Sequence, residues 1–291
     1  LWTILQGINE TAGVFAAISA DSNYLHTNNF NGKSKSTLLD DLRKRCDDHL
    51  LHNRYNKLLD DSNKILMIES SDDYAIRMRD IAIYGAGGFG KEVACIINRI
   101  NRDYDVWKLI GFFDDGMKRK TRVSHYGEVL GNINDLNHWA SPVNIVFAIG
   151  NPLIIKNLVR RIDNPKVDFP NLIHPESTIA DQKTFSIGRG NLITRGCTFS
   201  CDVHIGDFNQ FNSISALAHD VTVGSYNVFM PLVRVSGEVT IGNSNFFGIG
   251  AIILQQVKIG ENTRIGAGSI VITKTKDGFL YMGNPAKRIN L

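Results

Sequence analysis

The sequence predicts a half-Rossmann α/β domain followed by a left-handed parallel β-helix, with a partly helical extension in front. Three observations predict it: an unbroken six-residue apolar period from Ile187 to Val271, a glycine-rich turn between a buried strand and an amphipathic helix, and a leucine-spaced charged stretch near the start. A chain of 291 residues has room for two or three compact units.

Stepping by six from Ile187 gives Ile193, Phe199, Ile205, Phe211, Leu217, Val223, Phe229, Val235, Ile241, Phe247, Ile253, Ile259, Ile265 and Val271, fifteen positions and all apolar. At an apolar share of about 0.45, such a run arises by chance about once in 10⁵ trials. Every third member opens a closer copy: IGRGN from Ile187, IGDFN from Ile205, VGSYN from Val223, IGNSN from Ile241 and IGENT from Ile259. The larger repeat is therefore eighteen residues, three six-residue faces closing one triangular coil. Each face sends one residue inward to stack on its equivalent a coil above, and no coil buries its apolar face without neighbours. Glycine after the inward residue and asparagine near the corner are expected to supply backbone at φ > 0. Ile173 and Ile179 enter the series early, offset by an insertion around Asp181 to Phe185, which predicts an irregular first coil. A β-sandwich is excluded by the period, since its strands alternate every two residues.

Before the repeat, Ile81 to Tyr84 reads as a buried strand, Gly85 to Gly90 (GAGGFG) as a tight turn, and Lys91 to Asn101 as an amphipathic helix. Gly85, Gly87, Gly88, Phe89 and Gly90 are placed to bring backbone N–H groups and a helix N-terminus against a phosphate. Further strands are predicted at Lys108–Phe113, ending in Asp114 and Asp115, and at Asn144–Gly150, ending in Gly150 and Asn151. These carboxyl ends are the predicted ligand side, with the aspartates facing a ribose or a base edge. Three strands make only half of a dinucleotide site, which favours a nucleotide-sugar. The first segment contains Thr37–Asp61, whose leucines recur at helical spacing.

Composition narrows the classes further. A net charge of +3 without a long basic run excludes a nucleic-acid footprint. Four cysteines without CxxC spacing or paired histidines argue against a zinc site or disulfide framework, so no metal is expected and a reducing cytoplasm fits. No apolar stretch approaches membrane-spanning length.

Aligning the third face of each coil puts Cys201, His219, Gly237 and Gln255 in one column, in which a single member is a base. Imidazole accepts and returns a proton near neutral pH, and the adjacent Asp220 is placed to fix its tautomer.

A hexapeptide β-helix behind GAGGFGKE, ending in GNPAKRI (Gly283 to Ile289), resembles the bacterial sugar acetyltransferases of surface-glycan biosynthesis. That family includes sialic acid O-acetyltransferases and UDP-amino-sugar N-acetyltransferases. The resemblance covers the chain from about Arg79 onward, and Met78 stands where family members open. It implies domains at 78–170 for a nucleotide-sugar and 171–291 for acyl transfer, with 1–77 an extension of unassigned role. It implies an acetyl-CoA co-substrate, a nucleotide-sugar or sialic-acid-like acceptor, and a homotrimer in which a partner chain completes the site. By resemblance His219 is the base, Asp220 its partner and Gly237 the N–H donor to the acetyl oxygen. Val228, Ile249 and Ala267 match positions lining the CoA channel, and Lys287 and Arg288 are placed for CoA phosphates. Three residues depart from the pattern: Phe89 and Val228 stand where histidines are usual, and Ala267 where a glycine is. A serine O-acetyltransferase-like enzyme is the rival, although it has no glycine loop ahead of the repeat. A non-catalytic scaffold is the other, although it needs no isolated His-Asp pair.

Overall fold

A computed structural model describes residues 78–103 and 106–289. The helix expected at Thr37–Asp61 lies outside the described residues. Met78–Arg102 and Trp107–Leu291 make one compact unit, in which sheet and coils pack as a single body.

The α/β part is a five-stranded parallel sheet ordered β3-β2-β1-β4-β5. Its strands are β1 Arg79–Tyr84, β2 Trp107–Phe113, β3 Val129–Gly131, β4 Val143–Phe147 and β5 Val167–Asp168. Helix α1, Gly88–Asp103, buries Val93, Ala94, Ile96, Ile97 and Ile100, the stripe expected of an amphipathic helix. It starts three residues earlier than Lys91, because the second half of the glycine turn already has helical backbone. β4 stops at Phe147 rather than Gly150, since Ala148 onward turns away toward the next helix. β3 and β5 were not anticipated: three and two residues are too short to show a period. Two further helices complete the layer, α2 at Ile133–Asn137 and α3 at Pro152–Arg161.

Two glycines of the turn are required by space. Gly85 has φ +113°, and a Cβ there would lie 2.6 Å from the Ala148 carbonyl oxygen. A Cβ on Gly90 would lie 2.1 Å from the Gly85 carbonyl oxygen, so α1 approaches the end of β1 only because residue 90 is glycine, while Gly85 lets the turn pass the end of β4.

From Leu172 the chain winds as a three-sided β-helix of two-residue strands, paired in parallel with the strand eighteen residues on from Ser186 to Val271, as Ile205 with Val223 and Val223 with Ile241. The irregular first coil pairs Ile173 with Ile193 and Ile179 with Phe199, twenty residues on. The whole inward series is buried from Ile193 to Val271, and Ile173, Ile179 and Ile187 pack against it at the start. Phe211, Phe229 and Phe247 form a ring stack with successive centroids 4.5 Å apart. The hairpin Leu280–Gly283 and Ala286–Ile289 continues one face and closes the array.

The corners are built differently from the sequence expectation. Positive φ falls three residues after the inward position, on Gly190, Phe208, Tyr226, Ser244 and Asn262 in the repeats that begin IG or VG. Gly206 and Gly224, which follow inward residues, have ordinary φ; they are small because a Cβ on either would meet the next coil's carbonyl oxygen at 2.8 Å. Asn191, Asn209, Asn227 and Asn245 are fully buried and form a ladder. Each Oδ1 accepts the backbone N–H of its equivalent one coil on, at 2.8, 2.9 and 2.9 Å, and Asn245 does the same for Thr263 at 2.7 Å. The asparagine thus satisfies a corner N–H that no strand partner reaches.

The three outer faces differ. One, through Gln210 and Val228, is covered by the α/β part: Phe208 and Val228 share a core with Phe147 and Phe169, and the Gln210 amide donates to the Phe147 carbonyl at 2.8 Å. A second is polar, with His204, Thr222, Thr240 and Lys258 in line. The third carries Ala216, Arg234, Ile252 and Ile270, with Leu254 and Ile272 exposed beside them.

Candidate active site

The α/β part holds a cleft of about 430 Å³ at the carboxyl ends of β1, β2 and β4, lined by Gly85, Asp114, Asp115, Ile154, Asn157 and Arg161 among others. Strand order reverses between β1 and β4, which is where ligands settle in open parallel sheets. Gly87 and Gly88 are exposed, with open space where a Cβ would stand. Phe89 is half-buried.

The polar residues expected to meet the ligand are already engaged within the chain. Asp114 accepts the Ala86 N–H at 2.9 Å and the Gly116 N–H at 2.8 Å, and so braces the glycine turn. Asp115 Oδ1 accepts the Tyr84 hydroxyl at 2.7 Å and the Ile133 N–H at 3.0 Å, while Arg161 approaches Oδ2 at 3.8 Å. Asn151 caps α3, its Oδ1 accepting the Leu153 and Ile154 N–H groups. Asn151 is thus a helix cap, and Asp114 and Asp115 brace the turn while still lining the cleft. Gly150 remains exposed, with nothing near its Cα.

The sequence missed Tyr84 and Arg161. Burial, then the hydrogen bond to Asp115, pushes the Tyr84 hydroxyl above its ordinary range, so it stays a donor. Arg161 ends a helix whose amphipathic spacing gives no sign that it faces the cleft.

On the β-helix, His219 and Asp220 occupy a corner between the apolar face and the polar face. His219 Nδ1 lies 2.7 Å from Asp220 Oδ2, and the histidine side chain is 48% exposed. An ionised carboxylate only accepts, so the contact puts the proton on Nδ1 and leaves the Nε2 lone pair open. The corner geometry that allows this is Asp220 at φ 57°.

The ring lies against the next coil at Gly237. A Cβ there would stand 2.4 Å from His219 Cε1 and 2.5 Å from Nε2, so only glycine admits the ring. Neighbouring N–H groups are taken, Ser236 by the Ile253 carbonyl and Glu238 by the His219 carbonyl. Among the described residues no acceptor faces the Gly237 N–H. A base with an open lone pair and an unclaimed donor thus stand on consecutive coils.

Glu238, also unforeseen, accepts the side-chain amides of Gln255 at 2.7 Å and Gln256 at 2.9 Å. The donations from Gln256 and Gln255, with a smaller contribution from His219, hold its carboxyl below the usual range. One of the three, Gln255, was visible in the column of His219, but nothing in the spacing says that its side chain meets Glu238.

The positions expected to line a CoA channel divide. Ile249 and Ala267 are exposed on consecutive coils, at the corner preceding the one with His219. Val228 is corrected: it is 0% exposed and packed against the α/β core, with no surface for a ligand. Lys287 and Arg288 are exposed on the last strand, the Arg288 guanidinium 4.7 Å from the Phe279 ring centroid. Among the described residues no His, Cys, Asp and Glu cluster has the geometry of a metal site, and no helix is long and apolar enough to cross a membrane.

Two family models match the chain, the PglD N-terminal domain over residues 80–162 and the bacterial transferase hexapeptide (six repeats) over residues 238–273. A curated relative, the UDP-N-acetylbacillosamine N-acetyltransferase of Bacillus subtilis (strain 168), is 30% identical over 117 residues, 40% of this chain and 51% of that one. The chain thus spans about half the length of that relative. The acetyltransferase domain of PglB from Neisseria gonorrhoeae FA1090, solved with acetyl coenzyme A, superposes with a TM-score of 0.65 at 27% identity, covering 73% of this chain and 100% of that one. A histidine-to-alanine mutant of GDP-perosamine N-acetyl transferase from Caulobacter crescentus, solved with CoA and GDP-perosamine, gives 0.64 at 25% identity, covering 75% and 100%. The resemblance to bacterial sugar acetyltransferases stands on both the α/β part and the coils.

Proposed function

We propose that this chain transfers the acetyl group of acetyl-CoA to an amino group on a nucleotide-linked sugar. The observation that carries the reading is the His219 ring lying on Gly237 with Nδ1 held by Asp220 and Nε2 open. The nature of the similar proteins, a UDP-linked and a GDP-linked amino-sugar acetyltransferase among them, supports nitrogen as the acceptor.

The acceptor amine attacks the thioester carbonyl while His219 Nε2 removes its proton. A C–N bond forms, the carbonyl oxygen gathers negative charge, and the Gly237 N–H stabilises it. The C–S bond then breaks, and the CoA thiolate takes the proton back from the imidazolium, whose charge Asp220 offsets. No covalent enzyme intermediate is required. The nucleotide occupies the cleft at the glycine turn, with its phosphates toward Gly87, Gly88 and the start of α1. Domains at 78–170 and 171–291 divide the work accordingly.

The active form is a homotrimer. Ile249 and Ala267 sit at a different corner from His219, so a CoA chain lying along them reaches the base of a second copy. Two further observations support that partner: one outer face carries Ala216, Ile252 and Ile270 around Arg234, with Leu254 and Ile272 exposed beside them, and the corner beside it places Ile214 and Leu232, 49% and 45% exposed, at positive φ. Bulky side chains at positive φ are costly, and solvent offers them no return. A cytoplasmic location fits the acetyl-CoA supply.

The test is turnover of acetyl-CoA with UDP- and GDP-linked 4-amino sugars, free sialic acid and serine, for the intact chain and for His219→Ala. Transfer to a nucleotide-linked amine, abolished in the variant, is expected. Serine turnover, or none with any acceptor, would remove the reading. A monomeric mass in solution with full turnover would remove the trimer.

A further inference from the structure

We propose that Glu238 is a positioning residue: its carboxylate, forked between the side-chain amides of Gln255 and Gln256, fixes the turn that presents the Gly237 N–H beside His219. The inference rests on the roles given above to His219 and Gly237.

Gly237 and Glu238 form a corner, and a corner is the part of a coil that has no strand partner on either side. Three main-chain bonds reach this one. Glu238 N–H donates to the His219 carbonyl at 3.0 Å, Gln256 N–H donates to the Gly237 carbonyl at 3.0 Å, and Ser236 N–H donates to the Ile253 carbonyl at 2.9 Å. Those bonds set the height of the turn from the main chain alone. The side-chain bracket adds two constraints from outside. Gln255 Nε2 meets Glu238 Oε1 at 2.7 Å and Gln256 Nε2 meets Oε2 at 2.9 Å, one amide for each oxygen, so the carboxylate has a single orientation.

Glu238 shares the corner backbone of the array and differs from its equivalents in what its side chain meets. Glu238 has φ 60° and Gln256 has φ 63°, a conformation that glycine or asparagine adopts at less cost. Both side chains are exposed, so neither residue is retained for the core. What they do in this structure is hold each other. The other corners of the column carry Asp202 and Asp220, of which Asp220 holds the His219 ring. The carboxyl of Glu238 lies below the usual carboxylate range because of the same two amides.

The intact chain is compared with Glu238→Ala, Glu238→Gln, Gln255→Ala/Gln256→Ala and the triple variant. Two readouts are taken: kcat and KM for acetyl-CoA, and hydrogen exchange at the Glu238 and Gln256 amides. Glu238→Ala and the double variant are each expected to lower kcat about fivefold, the rate equivalent of one ordinary hydrogen bond, with KM within about twofold. The triple variant should fall no further than Glu238→Ala, since one bracket is lost in each case. Glu238→Gln should recover half of the activity or more, because a glutamine partner can turn its carbonyl toward the new amide. Exchange at both amides should quicken in the same variants. An unchanged kcat in Glu238→Ala, additive losses in the triple variant, or a loss confined to KM would overturn the proposal. Should the intact chain transfer no acetyl group, the functional reading fails and exchange alone decides the bracket: unchanged protection sinks it.

Discussion

The cleft of the α/β part and the corner at His219 hold residues of similar chemistry in opposite states. In the cleft, both Asp114 oxygens, Asp115 Oδ1 and Asn151 Oδ1 accept protein N–H and O–H groups, and Asp115 Oδ2 stands toward Arg161. At the corner, His219 is held through one nitrogen and the neighbouring Gly237 N–H has no acceptor among the described residues. The difference is one of spare valence. A side chain whose hydrogen-bonding capacity is spent on the fold supports a site from behind, whereas one with capacity left over reacts or binds. Position after a strand locates the first kind as readily as the second.

The contrast is broken most directly at the base. His219→Ala should lower kcat about 10³-fold with little change in melting temperature, since the lost group is half-exposed and acts as a general base. Equal losses of activity and stability would mean that the histidine belongs to the fold. Gly237→Ala comes next, at about 10²-fold, because its Cβ would occupy the space of the His219 ring and disturb donor and base together. Kinetics unaltered by that methyl group would show that the ring is not held where the structure has it.

The inward-turned groups predict the opposite pattern. Asn227→Ala takes the acceptor from the Asn245 N–H in a fully buried ladder and should destabilise the chain by about 1–3 kcal/mol in denaturant unfolding. Asp114→Ala should cost about 1–2 kcal/mol and raise KM for the nucleotide-sugar more than it lowers kcat, because the glycine turn loses its brace. A variant that keeps full stability but no longer binds the nucleotide would instead make Asp114 a ligand contact. The smallest effect concerns Cys197, whose thiol burial pushes up to about 11. The folded state favours the neutral thiol, so its contribution is complete below the ordinary thiol range and is lost as pH rises toward 11. Unfolding midpoints should decline over that window in the intact chain, and less in Cys197→Ala.

The coils were legible because every six residues repeat one demand, an apolar side chain pointing inward, and repetition exposes the register. His219 was legible for the complementary reason: it is the one base in a column where the repeat has no need of one. The roles of small residues were misjudged, since sequence shows that Gly206 and Asn209 recur but not whether backbone angle or crowding by the next coil selects them. In the cleft the glycine turn was found and its partners were not, because Tyr84, Arg161 and the bonds of Asp115 come together only when distant strands align. Val228 misled by resemblance: the position that matches a ligand contact is here sealed beneath the neighbouring sheet.

The asparagine ladder also restricts how this chain can change in length. Each amide hands on to a residue one coil later, eighteen places on from Asn191 but twenty from Asn171, whose Oδ1 still accepts the Asn191 N–H at 2.9 Å. An insertion that loops out between corners therefore keeps the ladder, whereas one that displaces an asparagine strands a buried N–H at that level. An extra whole coil would keep every rung, and its placement matters. Inserted after Gln256 it would keep His219 beside Gly237 but part Ile249 from Ala267, whereas between His219 and Gly237 it would part the proposed base from the proposed donor without unfolding the chain.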